Sequence, residues 1–119
     1  MATQHAGLIP QIGIIEDAHE QLGLTYREVA EVVQAQESTV HRWRRGDVPP
    51  TPVFLGRLNA LGDLLAELHR TFADPADARA WLDRPNIAMH QRTPRELVLS
   101  GQMDRVTGML YALNAGIPT

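Results

Sequence analysis

The chain has 119 residues, enough for one compact domain or for a short nucleic-acid-binding module joined to a helical unit of similar size. With 44% apolar residues a core can be buried, only 5% are aromatic, and the apolar part is mostly Leu, Ala and Val, a mix that favours helices over a sheet. The absence of cysteine excludes a disulfide framework, a thiolate metal site and a cysteine nucleophile, and the net charge of −3 is unpromising for nucleic-acid binding unless the cations are clustered. They are: all eleven basic residues are Arg, and three of them fall between positions 42 and 45.

Residues 1–11 are polar and mixed and read as a loose arm without the basic and apolar regions of a signal peptide. With no apolar run approaching about 20 residues, the chain is expected in the cytoplasm, off the membrane. From Ile14 the apolar spacing is helical through Ile15, Ala18 and Leu22, closed by Gly23. Thr25-Tyr26-Arg27-Glu28 is a capping box, and the helix it opens turns Val29, Ala30 and Val33 inward. Gln34-Ala35-Gln36 links it to a third helix, with Val40 and Trp43 inward and Gly46 placed for a left-handed C-cap.

Thr51-Pro52, Asp74-Pro75 and Thr93-Pro94 each set a capping side chain before a proline, whose missing N–H costs nothing at the first helical position. Thr93 and Glu96 complete a second capping box. Helices are predicted over residues 52–72, 75–83, 94–100 and 103–115. In the first of these, Phe54, Leu58, Leu61, Leu65, Leu68 and Phe72 repeat at four-three spacing, which suits either a dimer seam or a long core helix, since Leu55 and Leu64 widen the stripe. No period-two pattern competes. The expected fold is all-α: residues 12–50 form a helix-turn-helix module, and residues 51–119 a helical bundle for dimerisation and partner binding.

Residues 24–46, LTYREVAEVVQAQESTVHRWRRG, resemble the Xre/phage-repressor helix-turn-helix: Thr25 as cap, Ala30 at the helix crossing, Ser38-Thr39-Val40, then Arg42-Trp43 and Arg45-Gly46. Gln34 departs from the pattern, which places Gly there, and can take the needed conformation only at a cost. With Val40 and Trp43 anchored inward, Gln36, Ser38, Thr39, His41, Arg42, Arg44 and Arg45 are the residues expected at DNA. The first turn meets base edges and the later arginines reach phosphate, while as plain chemistry Arg44 and Arg45 also suit a helix C-terminus. Three or four phosphate-reaching arginines bind weakly on their own, so a homodimer on paired operator half-sites is expected.

Residues 81–116 carry a second resemblance, to the C-terminal domain of the MbcA/ParS/Xre antitoxin family: Trp81-Leu82, Pro85-Asn86, Pro94, Leu97, Gly101, Val106, Leu110 and Gly116, in that order. Met89 and His90 stand where the family often has Leu then Gly. Taken singly, Trp81 and Leu82 read as core, Pro85-Asn86 as turn chemistry, and Val106, Met109, Leu110 and Leu113 as an apolar stripe. The resemblance implies an antitoxin whose partner is a RES-domain toxin that consumes NAD or transfers its ADP-ribose. It also implies that the C-terminal end, Tyr111, Asn114, Gly116, Ile117, Pro118 and Thr119, covers the toxin's active site; a frayed, functionless terminus is the bland alternative. Nothing points to catalysis. The five His never share metal-ligand spacing, no HExxH or phosphate-cradling loop is present, and no cofactor or metal is expected. The rivals are a stand-alone transcriptional regulator with a C-terminal dimerisation domain and a structural adaptor that has lost DNA binding.

Overall fold

The computed structural model describes residues 11–116. The expected arm, apart from Gln11, lies outside the described residues, as do Ile117, Pro118 and Thr119. Among the described residues seven α-helices follow one another: α1 (Ile12–Leu22), α2 (Tyr26–Val33), α3 (Glu37–Arg45), α4 (Pro52–Thr71), α5 (Pro75–Leu82), α6 (Pro94–Leu99) and α7 (Met103–Asn114). A 3-10 turn, Ile87–Met89, bridges α5 and α6. Among the described residues the only extended pairing is a single bridge between Asn86 and Arg92, so the fold is all-α.

Local chemistry sets the helix starts. In both capping boxes the Thr hydroxyl accepts the amide of the third helical residue while the Glu carboxylate accepts the Thr amide: Thr25 with Glu28, and Thr93 with Glu96. That backbone donor at Thr93 holds the Glu96 carboxyl below its usual value. Asp74 caps α5 through the amide of Ala76. Thr51 is a correction, because its side chain makes no cap hydrogen bond and α4 begins on Pro52 alone.

The long helix α4 is the spine. Leu58, Leu61, Leu65 and Leu68 are 4% exposed or less, packed within the chain against α1, α2 and α7. The four-three stripe is thus core, and its Leu side chains are not available as a dimer seam. One apolar cluster runs from Ile12 to Leu110 through both halves of the sequence. Arginines from the second half close the seam between them: Arg57 donates to the Val33 carbonyl, Arg79 to Gln21 and Arg95 to Leu22. These carbonyls sit at the C-terminal ends of α2 and α1, where helix dipoles favour cations. At the α1–α4 crossing, a Cβ on Gly62 would meet the end of Ile14 at 2.9 Å. Among the described residues no helix is long and apolar enough to cross a membrane.

Candidate functional sites

The first candidate face belongs to α3. Val40 and Trp43 are buried, Trp43 meeting Phe54 of α4, and this fixes which side of α3 points outward. Gln36, Ser38, Arg42 and Arg45 are exposed, with Thr39 and His41 half-buried beside them. The turn before α3 needs a left-handed residue, and Gln34 supplies it at φ 61°, in the place the sequence pattern reserves for Gly.

The cations on this face are largely engaged within the chain. Arg44 turns back: its Nε donates to Glu16 on α1 at 2.7 Å, its guanidinium lies 3.8 Å from the centre of the Tyr26 ring, and it meets His41 Nδ1 at 3.1 Å. The Tyr26 hydroxyl donates to the other Glu16 oxygen at 2.7 Å, and His19 stacks on the Tyr26 ring. Burial alone would push the Glu16 carboxyl up, but the hydrogen bonds from Arg44 and Tyr26 outweigh it and hold the group below its usual value. Burial and the bond to Glu16 push the Tyr26 phenol up in turn. Arg45 pairs with Asp47 at 2.9 Å, and His41 faces Glu37 at 3.4 Å. Among the described residues Arg42 alone of the three clustered arginines makes no ion pair. Arg27, exposed in the first turn of α2 beside Tyr26, makes none either, and it was not among the residues expected at DNA.

The second candidate face is the end of α7. Tyr111 is 58% exposed, and Leu113, expected in the apolar stripe, is 47% exposed while Val106 and Leu110 are fully buried. The stripe therefore stops one turn early and leaves two large apolar side chains on the last turn. Asn114 lies between the two around the helix and is itself exposed, with its amide bonded to Glu67 and Thr71 of α4. Gly116 is exposed at φ 75°. Of the pair read as core, Leu82 is buried at 2% exposure and Trp81 is half-buried, packed against the core beside Phe72, while Met89 takes a buried site at 1% exposure. His90 and Gln91 both adopt left-handed backbone, at φ 56° and 67°. Just before them Ile87 is 82% exposed, an apolar tip that turn chemistry alone did not signal.

Comparison with known proteins gives concordant results. Residues 67–116 match the antitoxin Xre/MbcA/ParS C-terminal toxin-binding domain. The chain is 36% identical over 107 residues to the mycobacterial cidal antitoxin MbcA of Mycobacterium tuberculosis, covering 87% of this chain and 90% of that protein. It is 30% identical over 92 residues to a probable mycobacterial cidal antitoxin of the same species, covering 77% of each. Among solved structures it is similar to the crystal structure of the M. tuberculosis MbcT–MbcA toxin–antitoxin complex, with a TM-score of 0.69 and 30% identity over 94% of this chain and 100% of the matched one.

Proposed function

This chain belongs to the Xre/MbcA/ParS antitoxin family, and we propose that it neutralises a RES-domain toxin by laying the end of α7 and the residues beyond it over the toxin's active site. The observation that carries this reading is the exposure of Tyr111 and Leu113 on the last turn of a helix inside the matched toxin-binding segment. Exposed aromatic and aliphatic side chains at a helix end suit the central anchors of a protein interface, which a partner desolvates. The toxin's reaction is the consumption of NAD or the transfer of its ADP-ribose in the cytoplasm, and the antitoxin acts on it by occupancy, without catalysis or a cofactor of its own. The helix-turn-helix serves a second role, binding operator DNA as a homodimer to repress the chain's own operon.

Co-purification with the product of the adjacent reading frame tests the reading, followed by an NAD-consumption assay with and without this chain. Stoichiometric binding that stops NAD loss is the expected result. A chain cut after residue 115 is expected to fold and keep its DNA contacts but to leave the toxin active; full neutralisation by the shortened chain removes the covering role of the tail. A chain that ignores the neighbour's product yet retards operator DNA is a stand-alone regulator instead.

A further inference from the structure

Glu67 is the one buried charged side chain among the described residues, at 9% exposure. It lies on α4 beneath the end of α7, and its partners form a closed set. Asn114 Nδ2 donates to Glu67 Oε1 at 3.0 Å and lies 3.5 Å from the Glu67 carbonyl, while Arg70 approaches Oε2 at 3.4 Å. On the other side of the amide, Asn114 Oδ1 accepts from the Thr71 hydroxyl at 3.1 Å, a hydrogen that the Glu67 carbonyl shares at 2.8 Å. Both ends of the Asn114 amide are thus committed to α4. Turning it outward would take a donor from a buried carboxylate, which costs more than a surface contact returns.

The place of this set in the helix matters. Asn114 is the last residue of α7, where terminal carbonyls lack intrahelical partners and helices fray. Tyr111 and Leu113, two residues apart, project about 200° from each other around the helix, so a loosened last turn would misdirect both. We infer that Asn114 is a positioning residue: with Glu67 and Thr71 it bolts the last turn of α7 to α4 and so fixes how Tyr111 and Leu113 are presented to the toxin, without touching the toxin itself. The inference rests on the toxin-covering role proposed for this end of the chain.

The test exchanges donor and acceptor across the bolt. Asn114→Asp sets a second carboxylate against Glu67, and Glu67→Gln in the same chain returns a donor to the pair with its polarity reversed. Each variant is titrated against the toxin from the adjacent reading frame, following NAD loss, at a temperature where circular dichroism finds equal folded fractions. N114D is expected to raise the antitoxin concentration for half-inhibition about tenfold or more, the size expected for a lost bond to a charged group. The double variant E67Q/N114D is expected to return to within about threefold of wild type, and in a Tyr111→Ala background N114D should have little further effect. Should N114D fail to fold, Asn114→Ala removes the donor without adding charge and reads the same loss.

Equal folded fractions without rescue by E67Q overturn the inference, because Asn114 then contacts the toxin directly. Wild-type potency of both Asn114 variants overturns it as well. Wild-type potency of Tyr111→Ala instead strikes at the contact proposed for this helix end, and it leaves the rescue arm to be read on its own.

Discussion

Replacing Arg44 by Ala separates two roles that the same side chain could serve. A phosphate contact would leave folding untouched and weaken DNA binding. A tie between α3 and α1 would do the reverse, and the geometry favours the tie: 2.7 Å to Glu16 and 3.8 Å over the Tyr26 ring. The ion pair is partly open, with side-chain exposures of 29% and 35%, so it contributes only about 0.5 kcal/mol after solvent screening. The cation over the ring adds roughly 0.5–1 kcal/mol. R44A is therefore expected to lose about 1–1.5 kcal/mol in urea unfolding, or roughly 4–7 °C in Tm for a chain of this size. Glu16→Gln, alone and combined with R44A, should give a coupling energy of about 0.5 kcal/mol. Arg42→Ala, the matched control, should leave the unfolding midpoint in place. An R44A chain with an unchanged midpoint and a salt slope of DNA binding shallower by about 1.8 in the proposed dimer would refute the reasoning and return Arg44 to the DNA face.

The Glu16 carboxyl, held below its ordinary value of 4.5, gives stability that is fully present above that value and is lost as pH falls through the depressed one. Thermal melts across that range should accordingly find the wild-type advantage over Glu16→Gln shrinking toward zero on the acid side; an advantage that grows there contradicts the sign. Gln34 carries a left-handed strain of about 1–2 kcal/mol, part of which a glycine would forfeit to the unfolded chain. Gln34→Gly is expected to gain about 0.5–1 kcal/mol in urea unfolding, with His90→Gly behaving alike and Gln34→Ala not. Gly108 has nothing within 4 Å of a Cβ, so Gly108→Ala should gain the helix-propensity difference of about 0.5–1 kcal/mol. Gly62→Ala should gain less or nothing, because its methyl meets Ile14; equal gains would mean that the α1–α4 crossing is looser than its geometry.

What could be read from the sequence was local. The two capping boxes, the proline starts and the glycine ends act within four residues of themselves, and the helices came out where they point. The four-three stripe of α4 could not settle core against seam, since the same spacing serves both; only the helices packed on it decide. Long-range partners were invisible for a similar reason. Arg44 reads as a recognition-helix cation until Glu16, 28 residues earlier, is found beside it. Asn114 is exposed as the sequence suggests, but it reads as an untethered tail residue until Glu67, 47 residues away, is found beneath it. Leu113 fits the apolar periodicity of α7, yet its neighbours leave it 47% exposed. In each case the pattern located the element correctly and missed what faced it.

Charge pairing also bears on how strongly the helix-turn-helix can hold DNA. Of the cations near α3, Arg44 and Arg45 are held by Glu16 and Asp47, and the outward ones without a described ion-pair partner are Arg42 and Arg27. If both reach phosphate in the proposed homodimer, they give about four contacts, each contributing a slope of about −0.9 in log K against log salt. The expected slope is therefore about −3.6 for the dimer, well short of what a strongly basic reader would reach. Arg27→Ala and Arg42→Ala should each flatten it by about 1.8, because every substitution occurs twice in the dimer. Fluorescence-anisotropy titrations on the operator between 50 and 200 mM salt (roughly the range where such slopes are resolved) measure this directly. A slope near −7 would mean that Arg44 and Arg45 leave their carboxylates to bind phosphate, and the internal ties on α3 would then be a resting state that DNA undoes.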